Sequence, residues 1–448
     1  MMRLKLITAL VLFTATVWAQ STPPEKTAFT LKEAQAYAVS YSYTAQYSLI
    51  EKEKIYRQMD ELVGAGLPHI NGEASYNYNI KPPVAFFPAA FFGGPPGTFQ
   101  AVTISPKQNS SLGLSLSQLI LDGSYFIGLQ AAKTYKQIAG QINEKDMLGI
   151  KADVASTYYS ILVINENIKV LKESAIKLDE TYNQTKSIYE QGFVEETDVD
   201  QLKLILSNVK NIITTLERQS AMAVKLLKFQ MGIGLDKEIT LSDDLAKVLA
   251  DTPTESPLTA TAGVESNIDY QTLIKQSYLA KLNYKRMIAT YTPSLSGFVS
   301  YQWQNFSNSN RLFADQSKYF GISVAGISLR VPIFDGLSTV QRIRVAKLDY
   351  KKTEIAKIQV AESIKLQTDQ ANMQYANALD TYKEKKESMD LAKKLKDRAL
   401  IKYKEGVGSS LEVTQTENQY LQAQADYVGS LLNLLNAKVA ISKLLNNF

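Results

Sequence analysis

The residue types that carry most protein chemistry are almost missing here. The 448 residues include no cysteine and a single histidine, His69, which follows Pro68. Without cysteine there is no disulfide, no thiolate nucleophile, no thiolate metal site and no lipidated thiol. A lone histidine lacks the partner that a metal site needs, and beside a proline it reads as a junction residue. Asp, Glu and Ser are scattered as on solvated helices, with no nucleophile–base or metal constellation. The sequence therefore predicts no enzyme, no cofactor, no metal and no catalytic residue. Its polar residues are placed to start and stop helices instead. LSQLILDG at 116–123 and LRVPIFDG at 329–336 both end in Asp-Gly before a long helical stretch. Asp122 and Asp335 can cap those helices, and Ser409-Ser-Leu-Glu412 fits a capping box.

The elements that must position these residues begin after a targeting segment. Arg3 and Lys5 precede the apolar run Leu6–Val17, and Val17-Trp18-Ala19 is a plausible cleavage site. That run suits a secretory signal at 1–19 and is too short to span a bilayer. Cleavage would leave 47 basic against 44 acidic residues, a balance with no basic cluster for nucleic acid. No later stretch holds about 20 unbroken apolar residues, so no membrane-spanning helix is expected.

The chain is internally repeated. Tyr189-Glu-Gln-Gly192 recurs as Tyr403-Lys-Glu-Gly406, and Asp122-Gly123 as Asp335-Gly336, 214 and 213 residues on. Pro68-His-Ile-Asn-Gly72 recurs as Pro293-Ser-Leu-Ser-Gly297, a larger offset that places an insertion between Gly72 and Asp122. The insertion is visible as PPVAFFPAAFFGGPP at 82–96 and reads as an external loop, either a lid over an opening or a loop packed on its neighbours. The repeats are expected at 20–251 and 267–448, joined by an irregular linker, 252–266. Each runs helix, strand, strand, very long helix, turn, helix. Between Leu337 and Glu405 there is neither proline nor glycine, enough for one helix of about 100 Å.

Strands are read from alternation. Ala74, Tyr76, Tyr78 and Ile80 alternate with polar residues, as do Leu112, Leu114 and Leu116, and Val299, Tyr301 and Trp303. Phe320, Ile322 and Val324 alternate, then Ile327, Leu329, Val331 and Ile333 follow in the opposite phase, so a β-bulge is expected at Ala325-Gly326. A soluble sheet on a core would alternate too. Strands of about ten residues rich in Tyr, Trp and Phe, in an exported chain, favour lipid. Four strands cannot close a barrel and lipid does not tolerate an open edge, so copies of the chain must share one: two would give eight strands, three twelve. Behind the turns, Leu202, Leu206, Val209, Ile213, Leu216, Ser220, Ala223 and Leu227 form a seam spaced by fours and threes. Thr416, Tyr420, Ala423, Tyr427, Ser430, Leu434, Ala437 and Ile441 repeat it, and Leu421, Ala425, Val428, Leu432, Leu435 and Val439 form a second stripe on that helix. Two stripes imply neighbours on two sides, in a ring of helices or in an ordinary bundle.

On the duplication, the LDG and FDG junctions, and the turns YEQGFVEETDVDQ and YKEGVGSSLEVTQTENQY, the mature chain resembles the TolC-like outer-membrane efflux proteins. The resemblance implies a mainly helical fold with a small transmembrane β part: an internally duplicated, long α-helical barrel on a β-barrel of four strands per chain, twelve in a homotrimer. It implies a passive outer-membrane exit duct with a long periplasmic extension, embedded in outer-membrane lipid and docked to a periplasmic adaptor and an inner-membrane pump. Gly192, Gly406, Tyr189 and Tyr403 would then lie at the periplasmic tip, facing the adaptor. Glu412 stands where the family's inward-facing gate acid is expected, with Asp198 as its repeat mate. The second family acid falls at Gln415, mirrored by Gln201, where this sequence departs from the pattern. Capping and gating by Glu412 can coexist. A soluble periplasmic adaptor or scaffold is the alternative, but such proteins usually have one helical hairpin rather than two repeats each with a β-hairpin.

Overall fold

The computed structural model describes residues 27–250, 252, 264–308, 319–446 and 448. The targeting segment at 1–19 lies outside the described residues, and of the linker only Thr252 and Val264–Ser266 are described. In chain order the elements are β1 (Ala28–Phe29), α1 (Leu31–Tyr41), α2 (Tyr43–Gly64), β2 (His69–Tyr78), β3 (Val84–Pro88), β4 (Phe99–Thr103) and β5 (Gln108–Leu121). There follow α3 (Gly123–Glu190), α4 (Glu196–Met231), β6 (Thr240–Leu241), α5 (Leu245–Ala250), α6 (Ile268–Ala289), β7 (Ser294–Ser307), β8 (Tyr319–Arg330), α7 (Ser338–Lys404) and α8 (Ser410–Leu444). The helix–strand–strand–long helix–helix order appears twice, with the ribbon β3–β4 inserted in its first copy.

The compact units are not the sequence repeats. One contains Glu144–Asn267 and Lys365–Phe448 with the described residues up to Leu49; the other contains Ile50–Asn143 and Ile268–Ile364. Each draws on both repeats.

The second unit holds an antiparallel sheet of order β2-β5-β7-β8. Pairing puts Ile70, Ala74 and Tyr76 on the face of Leu112, Leu114 and Leu116, and these on the face of Val299, Tyr301 and Trp303. Most of these side chains are exposed. The opposite face carries Asn71, Glu73 and Ser75, then Ser111 and Ser115, then Ser300, Gln302 and Gln304. Ser75 and Ser111 hydrogen-bond across it at 2.7 Å.

Strand β8 departs from expectation. No bulge occurs at Ala325-Gly326, because the β7–β8 register runs unbroken from Ser294↔Arg330 to Asn305↔Tyr319. The apolar residues change face instead: Phe320, Ile322 and Val324 pair with Gln304, Gln302 and Ser300. Small residues on β8 make room for aromatic neighbours. A Cβ on Gly326 would lie 2.8 Å from the Phe298 ring, and one on Gly321 2.8 Å from the Tyr301 hydroxyl. The register shift in this sheet falls at Leu119/Leu121, where Ile120 is the extra residue. Ile80, Val331 and Ile333 lie beyond the strand ends. Pro332, with no N–H to donate, suits the end of β8.

The first unit is helical. Thr30 and Glu33 form a complete capping box at the start of α1. Its main core joins Ala34 and Ala38 of α1, Val154, Tyr158 and Ile161 of α3, Leu227 and Met231 of α4, and Leu431 and Leu435 of α8. The α4 seam packs on α3, with Ile205, Leu206, Val209 and Ile213 against Ile168, Leu171 and Leu178. On α8, Leu434 and Ile441 meet Tyr375 and Leu379 of α7, while Leu435 and Val439 enter the main core. The two stripes thus serve two sets of neighbours. Helix α3 includes an 18-residue stretch apolar enough to cross a membrane by composition, but 56% of it is buried within the protein, which marks a core helix.

Candidate functional site

Gly192 and Gly406 end α3 and α7 in the same way, with φ of 81° and 75°. The N–H of Gly192 donates to Tyr189 O at 2.8 Å, and that of Phe193 to Ile188 O at 3.2 Å. Gly406 repeats this to Tyr403 O at 3.1 Å, and Val407 to Lys402 O at 3.0 Å. These paired bonds satisfy the last helical carbonyls, as in a Schellman motif. A Cβ on either glycine would meet open space, so the left-handed backbone alone selects glycine. The tyrosines diverge. The Tyr403 hydroxyl lies 3.0 Å from Thr185 Oγ1 of α3, and burial raises its pKa. Tyr189 is exposed.

The helices after the turns start differently. At α4, Glu195 and Asp198 form a complete capping box, with the Glu195 N–H donating to Asp198 Oδ2 at 3.3 Å. At α8, Ser409 Oγ accepts from the Glu412 N–H at 3.1 Å, but the Glu412 carboxylate binds Lys402 Nζ at 3.1 Å instead of turning back to the cap. The capping box expected at 409–412 is therefore half made. An ammonium within reach makes a stronger partner than an amide N–H.

Both turns meet at Ser410. Its hydroxyl reaches the Asp198 carboxylate, and Gln201 Oε1 lies 3.0 Å away, so one proton is shared between two acceptors from the first turn. Of the four residues expected at the gate, the structure joins Asp198 and Gln201 around Ser410, pairs Glu412 with Lys402, and leaves Gln415 exposed.

Near these turns lies a buried polar cluster that sequence reading missed. Glu417 is 2% exposed and Lys396 7%. Their charged atoms are 3.8 Å apart. Ser174 Oγ donates to Glu417 at 2.9 Å and accepts from Lys396 at 3.2 Å. The Lys396 ammonium also sits 4.1 Å from the centre of the Tyr420 ring. Burial pushes the Glu417 carboxyl up and the Lys396 ammonium down, each resisted by the other's charge. One signal was available: Val413, Glu417, Tyr420 and Gln424 follow steps of four, three and four, placing an acid within a buried stripe.

The strand-to-helix junctions share letters but not geometry. Asp122 directly precedes α3, and its Oδ1 accepts from Ser124 Oγ at 2.6 Å and the Tyr125 N–H at 3.0 Å. Burial raises its pKa, but these bonds outweigh it and the net shift is downward. Asp335 stands further from α7 and binds the Thr339 N–H at 2.8 Å and the Thr339 hydroxyl, bonds that lower its pKa. Between Asp335 and α7, Gly336 and Leu337 both adopt positive φ. Gly123 is instead required by space, since a Cβ there would lie 2.5 Å from Thr292 Oγ1.

Among the described residues the chain combines an open four-stranded sheet, apolar and exposed on one face, with helices of 68 and 67 residues, an arrangement suited to an outer-membrane channel. Comparison with known proteins agrees. The Outer membrane efflux protein family matches residues 276–447. The probable efflux pump outer membrane protein TtgC of Pseudomonas putida is 26% identical over 363 residues, covering 76% of this chain and 69% of that protein. The outer membrane protein TolC of Vibrio cholerae is 22% identical over 287 residues, covering 63% and 60%. The crystal structure of CusC superposes with a TM-score of 0.73 at 14% identity, covering 93% of this chain and 92% of that one. The chain is thus similar to outer membrane efflux proteins along most of its length, and its second repeat matches the family itself. It resides in the outer membrane as a channel, not an enzyme, which sets aside the soluble scaffold alternative.

Proposed function

We propose that three copies of this chain close one twelve-stranded barrel and form the exit duct of a tripartite efflux system, working with a periplasmic adaptor and an inner-membrane pump. The sheet carries this reading. Among the described residues the outer edges of β2 and β8 have no partner strand, and lipid does not accept such edges. Because the strands alternate in direction, β8 of one copy can pair antiparallel with β2 of the next, repeating the same contact around a ring. Detergent-purified protein should run as a heat-modifiable trimer and conduct ions in planar bilayers. A water-soluble monomer would overturn the assignment.

In this reading the paired turns face the periplasm. Exposed Tyr189 and Phe193, beside Gly192 and Gly406, offer the adaptor an apolar contact. Glu412 at the second turn sets the charge of the periplasmic opening, while Asp198 at the first turn holds the two turns together. Cargo enters there and leaves through the barrel without chemistry by the duct. Introducing the missing family acid tests the gate. Gln415→Glu should strengthen cation selectivity in bilayer recordings, and unchanged selectivity would remove residue 415 from the lumen wall.

A further inference from the structure

The inserted ribbon β3–β4 has one apolar-to-neutral face that is exposed among the described residues. Register places Val84, Phe86 and Pro88 beside Thr103, Ala101 and Phe99 on that face. All six are exposed, Phe86 at 68% and Phe99 at 69%. Phe91 at the tip is 78% exposed. On the other face Ala85 and Val102 are half-buried, and Phe87 packs edge-on against Phe92 at 6.5 Å. A two-stranded ribbon is marginal in water unless a hydrophobic face is covered. The reading that packed this insertion on its own neighbours therefore accounts for one face and not the other.

We infer that this bare face docks on the outer leaflet of the surrounding membrane, at the level of its anionic headgroups. The ribbon leaves the sheet at the ends of β2 and β5 remote from the helices that precede β2 and follow β5. Lys81 and Lys107 flank it, and the segment from Ala74 to Leu121 contains no acidic residue at all. Aromatic rings at the interface with lysines beside them match an acidic lipid surface, where each lysine adds electrostatic attraction. The base of the ribbon is held in place: Asn79 Nδ2 donates to Pro106 O at 2.9 Å, and the Asn79 N–H to Lys107 O at 2.8 Å. A fixed base presents the same face each time, as a docking surface requires.

The chain has no cysteine, so a single introduced one can be labelled uniquely. Full-length Phe86→Cys, Phe91→Cys and Gln100→Cys proteins would carry a nitroxide in phosphatidylcholine vesicles with or without phosphatidylglycerol. Collisions with dissolved oxygen and with an aqueous nickel chelate report depth. We expect an oxygen-to-nickel ratio several-fold higher at positions 86 and 91 than at 100, rising with phosphatidylglycerol and losing that rise in Lys81→Glu/Lys107→Glu. Equal ratios at all three positions would place the ribbon in water and overturn the inference. So would short label-to-label distances within one assembly, which would mean that ribbons from neighbouring copies meet over the opening. Because the labels report depth in any inserted chain, this result stands apart from whether the barrel holds three copies.

Discussion

At the first strand-to-helix junction, Gly123 lies against Thr292; at the second, Gly336 stands in open space with φ of 66°. The dipeptide is the same and the constraint is not. One glycine is selected by the absence of a side chain, the other by a backbone that L-residues avoid. The two turns show the same divergence. Asp198 caps its own helix and accepts from Ser410 of the other repeat, while its mate Glu412 faces Lys402. Duplication has preserved where the chain must bend and let each copy find its own means of bending.

The buried pair marks the largest difference. Glu417 and Lys396 belong to the second repeat, and 214 residues earlier stand Lys203, which is exposed, and Tyr182. Glu417→Leu alone should strand the Lys396 charge and cost about 3–5 kcal/mol, whereas adding Lys396→Met should restore most of that loss. Thermal unfolding in detergent would read both, and a double variant no better than the single would show that the cluster acts through shape, not charge. The pH dependence has a defined sign. Glu417 titrates higher in the folded protein than its ordinary 4.5. Its contribution is therefore greatest below 4.5 and is lost as pH rises through the raised folded value. Glu417→Gln should flatten the stability profile across that window.

Next in size are the two junction glycines. Gly123→Ala forces a Cβ onto Thr292 and should cost about 1–3 kcal/mol as an overpacked contact. Thr292→Ala should recover much of it, because the clash is with the Thr292 hydroxyl. Gly336→Ala should cost about 1–2 kcal/mol through backbone strain. No neighbouring truncation should relieve it, while Gly336→Asn should be milder. Equal rescue at both sites would erase the distinction between them.

The sequence made the bends legible and hid their mechanics. Glycine and proline act locally, so Gly192, Gly406 and Pro332 could be read from their neighbours alone. The strand faces followed from period two, up to β8. There Phe320, Ile322 and Val324 lie on the face opposite Ile327 and Leu329 because the pairing with β7 runs without a bulge, a register that no single strand encodes. Ser410 could not be predicted as the meeting point of the turns, since its partners lie over 200 residues away in the chain. Glu417 looked like one more solvated acid until three helices closed around it.

Ser410 links the repeats and should show a smaller effect. Ser410→Ala removes its bonds to Asp198 and Gln201 and should cost about 1 kcal/mol. Its clearer readout is channel behaviour: loosening the contact between the two turns should raise the frequency of open events in bilayer recordings. Ser410→Thr keeps the hydroxyl and should stay close to the parent. If Ser410→Ala gates like the parent, the contact between the turns does not hold the tip.

The smallest stability change, and the sharpest separation of the two turns, is expected at Lys402. Lys402 and Glu412 are 56% and 40% exposed, so water and salt screen their pair and its contribution to stability is about 0–1 kcal/mol. Lys402→Gln should barely move the unfolding midpoint. It should nevertheless leave Glu412 without its neutralising partner and increase cation selectivity. The increase should be larger at about 0.01 M salt, where charges act over roughly 30 Å, than at 1 M, where they act over about 3 Å. Asp198→Asn should do the reverse, because that carboxylate is already committed to Ser410 and to the α4 cap. It should weaken the fold and change selectivity little. If both substitutions altered selectivity alike, the two turns would be electrostatically equivalent after all, and the division of one repeat for holding and the other for charge would fail.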